Sequence, residues 1–133
     1  MSDIVIKEVK SKKDQKQFIM LPWSLYKGVP FWVPPLISDM KATLNPAKNA
    51  LLNLGPYAYF LAFRDGKPVG RLGVGADDRL NAAKNRREGY FTLFESIGDY
   101  SVAKALFDKA LSWLAEKGYD AVTGPQSPSN GDD

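Results

Sequence analysis

The chain has 133 residues, 44% of them hydrophobic and 25% charged, with a formal net charge of +3. That composition suits a single soluble domain, and it lacks the concentrated basic excess of a dedicated nucleic-acid binder. It contains no cysteine and no histidine, which sets aside disulfides, thiolate chemistry, zinc sites and Ser-His or Cys-His catalysis.

No apolar run approaches the roughly 20 residues needed to cross a bilayer. Met1-Ser2-Asp3-Ile4 shows no basic-then-apolar export pattern. The expectation is a cytoplasmic protein with neither a membrane nor a nucleic acid as partner. Ile4, Val5, Ile6 and Val9 read as a first strand. Ser11 with Asp14 three residues later predicts a capping box opening a helix. That helix carries Phe18, Ile19, Leu21, Leu25 and Tyr26 inward, with Pro22 kinking or splitting it and Gly28 ending it. Lys10, Lys12, Lys13 and Lys16 form a solvated face at its start.

Val29-Pro30-Phe31-Trp32-Val33-Pro34-Pro35 has fixed φ angles and few free N–H donors. It reads as a rigid linker whose Phe31, Trp32 and Val33 plug one end of the core, or as a wall of a substrate groove. Leu36 to Leu44 is a short predicted helix. Tyr57 to Arg64 and Val69 to Ala76 form a hairpin about Asp65-Gly66, the dipeptide of a type I′ turn, with Pro68 expected to shorten the pairing. Asp77 to Arg87 is polar and reads as an exposed connection.

The centre of the chain is Gly89-Tyr90-Phe91-Thr92-Leu93-Phe94-Glu95, rich in strand-forming residues. A turn from Ser96 through Gly98 to Ser101 follows, in which Asp99 or Ser101 can cap a helix. The helix carries Val102, Ala105, Leu106, Ala110, Trp113 and Leu114 on one face, and Gly118 closes it. Asp120 to Pro125 is the second strand of a βαβ unit, so this strand pair is expected to be parallel. Helix N-termini at the carboxyl ends of such strands are places where ligands collect.

Gly70-Arg71-Leu72-Gly73-Val74-Gly75 matches no phosphate-loop spacing; its glycines predict a bulge or the close approach of a neighbouring backbone. Glu95 is either a solvated strand end or a carboxylate facing a cleft, where it would serve as a general base. Tyr26, Tyr57, Tyr59 and Tyr100 read first as core residues with wet hydroxyls, and second as proton donors or pocket walls.

The predicted order is β-α-α-β-β-β-α-β, an α/β mixed sheet. With Leu21-Pro22-Trp23, Trp32-Val33-Pro34-Pro35-Leu36, Asn45-Pro46, Arg64-Asp65-Gly66-Lys67-Pro68-Val69-Gly70-Arg71 and Gly124-Pro125 before Ser127-Pro128-Ser129, it resembles the GCN5-related N-acetyltransferase (GNAT) superfamily. More closely, it resembles the first half of longer bacterial GNAT-like proteins. The resemblance implies one domain over 1–133, lacking its C-terminal helix and strands, that binds acetyl-CoA or another acyl-CoA and needs no metal. It implies cofactor contacts at Leu93, Phe94, Glu95, Ser96, Ile97, Gly98 and Tyr100, with Glu95 as the base acting on a small-molecule or peptide amine.

The loop departs from the superfamily's glycine-rich pattern: it has one glycine, and Asp99 stands where an anion would sit. The alternative is therefore a non-catalytic GNAT-like binding module. An unpaired edge at Ala121–Thr123 would favour a homodimer.

Overall fold

Residues 3–126 are described by the structure, a computed structural model. Ser127-Pro128-Ser129 and the final residues thus lie outside it. One sheet holds β1 (Ile4–Glu8), β2 (Tyr57–Arg64), β3 (Lys67–Gly75), β4 (Glu88–Ser96) and β5 (Ala121–Gln126), side by side in that order. The first three junctions are antiparallel, and β4 pairs with β5 in parallel through the expected helical crossover. The helices are α1 (Lys12–Leu25), α2 (Ile37–Thr43), α3 (Asp78–Lys84) and α4 (Tyr100–Glu116), with a 3-10 turn at Ala50–Asn53.

Strand side chains alternate between faces, and here both faces are covered. Ala58, Phe60 and Ala62 of β2, with Leu72 and Val74 of β3, meet Val102, Leu106, Ala110 and Leu114 of α4. Tyr59 and Leu61 point the other way and meet Phe18 and Ile19 of α1 and Met40 of α2. Two glycines let α4 approach closely. A Cβ at Gly70 would meet Leu106 and Val102 at 2.9 Å, and one at Gly89 would collide with Leu114. The close neighbours of the β3 glycines are mostly side chains and not the neighbouring backbone expected, while a register shift, the other expectation, does fall between Arg71 and Gly73.

The capping box at α1 forms in both directions: Asp14 N–H donates to Ser11 Oγ, and Asp14 accepts from the Ser11 N–H. Lys7 and the Lys10 N–H also donate to the buried Asp14 carboxylate, and together these bonds hold its pKa well below the usual range. At the hairpin, Asp65 and Gly66 have φ of 53° and 78°, as a type I′ turn requires.

Several expectations are corrected. Helix α1 is not split at Pro22, which lies inside it. Pro68 does not shorten the hairpin: Arg64 pairs with Lys67 and Phe63 with Pro68, and Val69 is taken up by a register shift instead. Residues 78–84 form α3, capped by Asp77 accepting from the Leu80 N–H and closed by Asn85 at φ 54°. Its fully polar start concealed it. Phe31 and Val33 do not plug the core; they are 92% and 83% exposed. Trp32 alone turns inward, stacked on Tyr26 with ring centroids 5.3 Å apart. Tyr100 is also no core residue, at 79% exposure.

Candidate functional site

The site begins with an irregularity in β4. Phe91 packs on the α4 face, so strict alternation would send Leu93 and Glu95 to that face as well. Instead Gly73 pairs with Thr92 and Arg71 with Glu95, three steps along β4 against two along β3. This is a β-bulge. Leu93 takes φ 57° and joins the α1-face cluster. Phe94 returns to the α4 face, 4.9 Å from the Phe107 ring, and Glu95 is left facing α1.

A leucine at positive φ costs on the order of 1 kcal/mol or more, so its surroundings must hold it there. Arg71 does so. Its Nε donates to the Leu93 carbonyl at 3.0 Å and its Nη1 to the Phe18 carbonyl at 2.7 Å. Its guanidinium lies over the Phe18 ring. Burial lowers the Arg71 pKa to about 10, while the Glu95 charge acts in the opposite sense. The group remains a cation at neutral pH.

Glu95 Oε1 accepts from the Tyr26 hydroxyl at 2.5 Å. That bond, followed by burial, raises the Tyr26 pKa. The carboxylate predicted from the sequence therefore does not stand free at a strand end. It is held by a phenol from the end of α1 and lies directly across the strands from a buried arginine. Sequence reasoning assigned no role to Arg71. The signal was present, as the one charge in Val69–Gly75, a segment otherwise of apolar residues and glycines.

Beyond Thr92, which pairs with Gln126, the pairing of β4 with β5 stops among the described residues. Among the described residues, Leu93–Ser96 have a strand partner on the β3 side. The backbone then turns into the start of α4. Ile97 N–H donates to the Val69 carbonyl, which ties the turn to the hairpin. Ser96, Ile97 and Gly98 line a cleft of about 480 Å³ with Ser24, Tyr26 and Lys67.

Asp99 is the N-cap of α4. It accepts from the Ser101 N–H and hydroxyl and forms an ion pair with Arg64 at 2.8 Å. The Ser101 hydroxyl, then Arg64, lower its pKa to about 2.

Of the residues singled out from the sequence, Glu95, Ser96, Ile97 and Gly98 come together at the end of β4. The Leu93 and Phe94 side chains are part of the packing on opposite faces. Tyr100 points into solvent. Among the described residues, no group of three or more acidic, His or Cys side chains is placed to hold a metal ion.

No family profile matches the sequence. The chain is 30% identical over 125 residues to a bacterial ceramide synthase from Caulobacter vibrioides, covering 93% of this chain and 33% of that protein. It is 33% identical over 117 residues to the protein YghO of Escherichia coli, covering 88% and 30%. It therefore spans about a third of the length of these relatives. Among solved structures it resembles the aminoglycoside acetyltransferase AAC(6')-Iy in complex with the bisubstrate analog CoA-S-monomethyl-acetylneamine. The TM-score is 0.62 at 18% identity, over 97% of this chain and 83% of that one.

Proposed function

We propose that this chain, which has the GNAT acetyltransferase fold, serves acyl transfer from acetyl-CoA or another acyl-CoA to an amine. The observation carrying the reading is the β-bulge that puts Leu93 at positive φ near the end of β4, with Glu95 held just beyond it.

Acyl-CoA, when bound, supplies an activated acyl thioester. The chain's part is positional. Backbone groups of Phe94 and Glu95 would hydrogen-bond the extended arm of the ligand, while the Leu93 carbonyl is already engaged by Arg71. Glu95 accepts the proton that an attacking amine gives up, and the Tyr26 hydroxyl fixes the carboxylate's orientation.

The fit is divided at the α4 end. Ser96, Ile97, Gly98 and the exposed Tyr100 border it, but the Asp99 carboxylate already occupies the Ser101 N–H. A diphosphate would meet that negative charge, so no contact to one is assigned there.

The acceptor is a small-molecule or peptide amine in a cytoplasmic setting. The aminoglycoside acetyltransferases among the structural neighbours support a small-molecule amine. The resemblance to the Caulobacter ceramide synthase supports an amine with a long chain, because a ceramide is an amide of a long-chain base.

Asp99 at the helix start favours a second reading, a non-catalytic binding or dimerisation module. Its interface would be β5, beside a groove lined by Leu111, Leu114 and Val122. Calorimetry with acetyl-CoA separates the two, with Gly98→Glu as control. A Cβ at Gly98 meets nothing within 4 Å, so the variant folds while adding negative charge at the turn. Micromolar binding lost in the variant supports the transferase reading. Absence of binding at millimolar ligand overturns it, and a dimer in ultracentrifugation then supports the module.

A further inference from the structure

One surface outside the site is both apolar and basic. From Gly28 to Ser38 the chain carries no charge, and Val29, Phe31, Val33, Leu36 and Ile37 are exposed. This is no loose loop. Trp32 is pinned between Tyr26 and Trp23, with centroids 5.3 and 5.4 Å away, and Pro30, Pro34 and Pro35 fix φ around it. Phe31 and Val33 are therefore presented outward by a braced segment, which loses little conformational freedom on burial.

Ile37 carries the patch into a groove of about 820 Å³ between α1 and α2. Its floor includes Ile19, Met20 and Leu44; Lys12, Lys16 and Lys41 stand around it, and no carboxylate lines it. Among the described residues none of these three lysines is in an ion pair. The nearest acid on α2 is Asp39, which does not line the groove.

We propose, against the expectation from the sequence that no membrane is a partner, that this face docks on an anionic phospholipid membrane. Phe31, Val33 and Leu36 enter the headgroup–acyl boundary, and Lys12, Lys16 and Lys41 meet the phosphates. Exposed apolar groups beside unpaired cations are what an anionic interface takes. A second copy is disfavoured, because a two-fold contact through this patch would set lysines against lysines. No described helix is long and apolar enough to cross a membrane, and surface docking requires none.

Sedimentation of the chain with vesicles tests the proposal, using phosphatidylglycerol with phosphatidylcholine against phosphatidylcholine alone. Binding is expected to the anionic vesicles, weakening as salt is raised. Lys12→Gln, Lys16→Gln and Lys41→Gln should each reduce it roughly fivefold at low salt. Phe31→Ser with Val33→Ser should reduce it at least about tenfold, with the circular dichroism spectrum unchanged because both side chains are already in solvent. Equal sedimentation with both vesicle types, or none with either, overturns the proposal. So does a concentration-dependent dimer lost in the Phe31/Val33 variant without vesicle binding, which assigns the face to a second copy.

Discussion

The two faces of the sheet are built on different principles. The α4 face is dry and uniform: alanines, leucines, valines and phenylalanines from the strands meet one stripe of a single helix. The α1 face holds a buried arginine, a buried threonine, Tyr59 and Tyr90, and the Tyr26–Glu95 bond. Polar groups cost free energy to bury unless they are bonded, and no buried side-chain polar atom among the described residues lacks a partner. The α4 face therefore supplies stability. The α1 face accepts strain at Leu93 in return for the direction of Glu95.

The comparison is most severely tested by removing bulk from the dry face. Phe60 is fully buried there, and Phe60→Ala should cost about 3–5 kcal/mol, seen as a lower midpoint in urea. Any acetyl-CoA binding, measured where the variant is still folded, should be unchanged. A loss of affinity in the folded variant would show that the faces are not separable.

Arg71→Met is the complementary change. It leaves the Leu93 and Phe18 carbonyls without their arginine donor, a cost of about 2–4 kcal/mol for the two. It also frees the bulge that aims Glu95. Affinity for acetyl-CoA should fall with stability, unlike in Phe60→Ala. Arg71→Lys should not restore either, because an ammonium lacks the planar fork that reaches both carbonyls. Full rescue by lysine would reduce Arg71 to a simple charge.

Alkali should act on the buried tyrosines of the α1 face. Burial, assisted by Asp77, pushes the Tyr90 phenol up to about 12, and Tyr59 is raised further by burial. A folded pKa above the unfolded value of about 10 gives stability that is complete below about pH 10. That stability is lost as pH rises through the folded value. Thermal midpoints of the wild type should decline from about pH 10 upward, and less steeply in Tyr90→Phe. An unchanged slope in the variant would place the alkaline transition elsewhere.

What was legible in the sequence was local. Asp65-Gly66 announced its turn, Ser11 and Asp14 their capping box, and the apolar spacing from Val102 to Leu114 its helix, all within a few residues. The parallel β4–β5 pair followed from chirality and element order. The bulge did not, because whether Leu93 or Phe94 faces α4 depends on β3 and on Arg71, 22 residues before Leu93. The partner of Glu95 is 69 residues away in sequence, beyond any local pattern. Helix α3 was missed for a different reason: none of its residues is buried, so no apolar periodicity marks it. Phe31 and Val33 misled because hydrophobicity predicts burial only where other elements arrive to cover the side chain.

The smallest expected change in stability bears on the largest functional question. Asp99→Asn keeps a good N-cap for α4 and removes only the charge paired with Arg64. Both groups are partly in water, so the loss of stability should be small. Below about pH 2 the two proteins should converge, since the depressed Asp99 pKa contributes stability only above that range. Binding should respond more strongly. If an acyl-CoA lies along β4 with its diphosphate near the start of α4, removing one negative charge and freeing Arg64 should tighten acetyl-CoA several-fold at low salt. That gain should shrink as salt screens the interaction. An affinity unchanged by Asp99→Asn at every salt concentration would move the diphosphate away from α4, leaving the bulged edge of β4 as the part of the site that the ligand still uses.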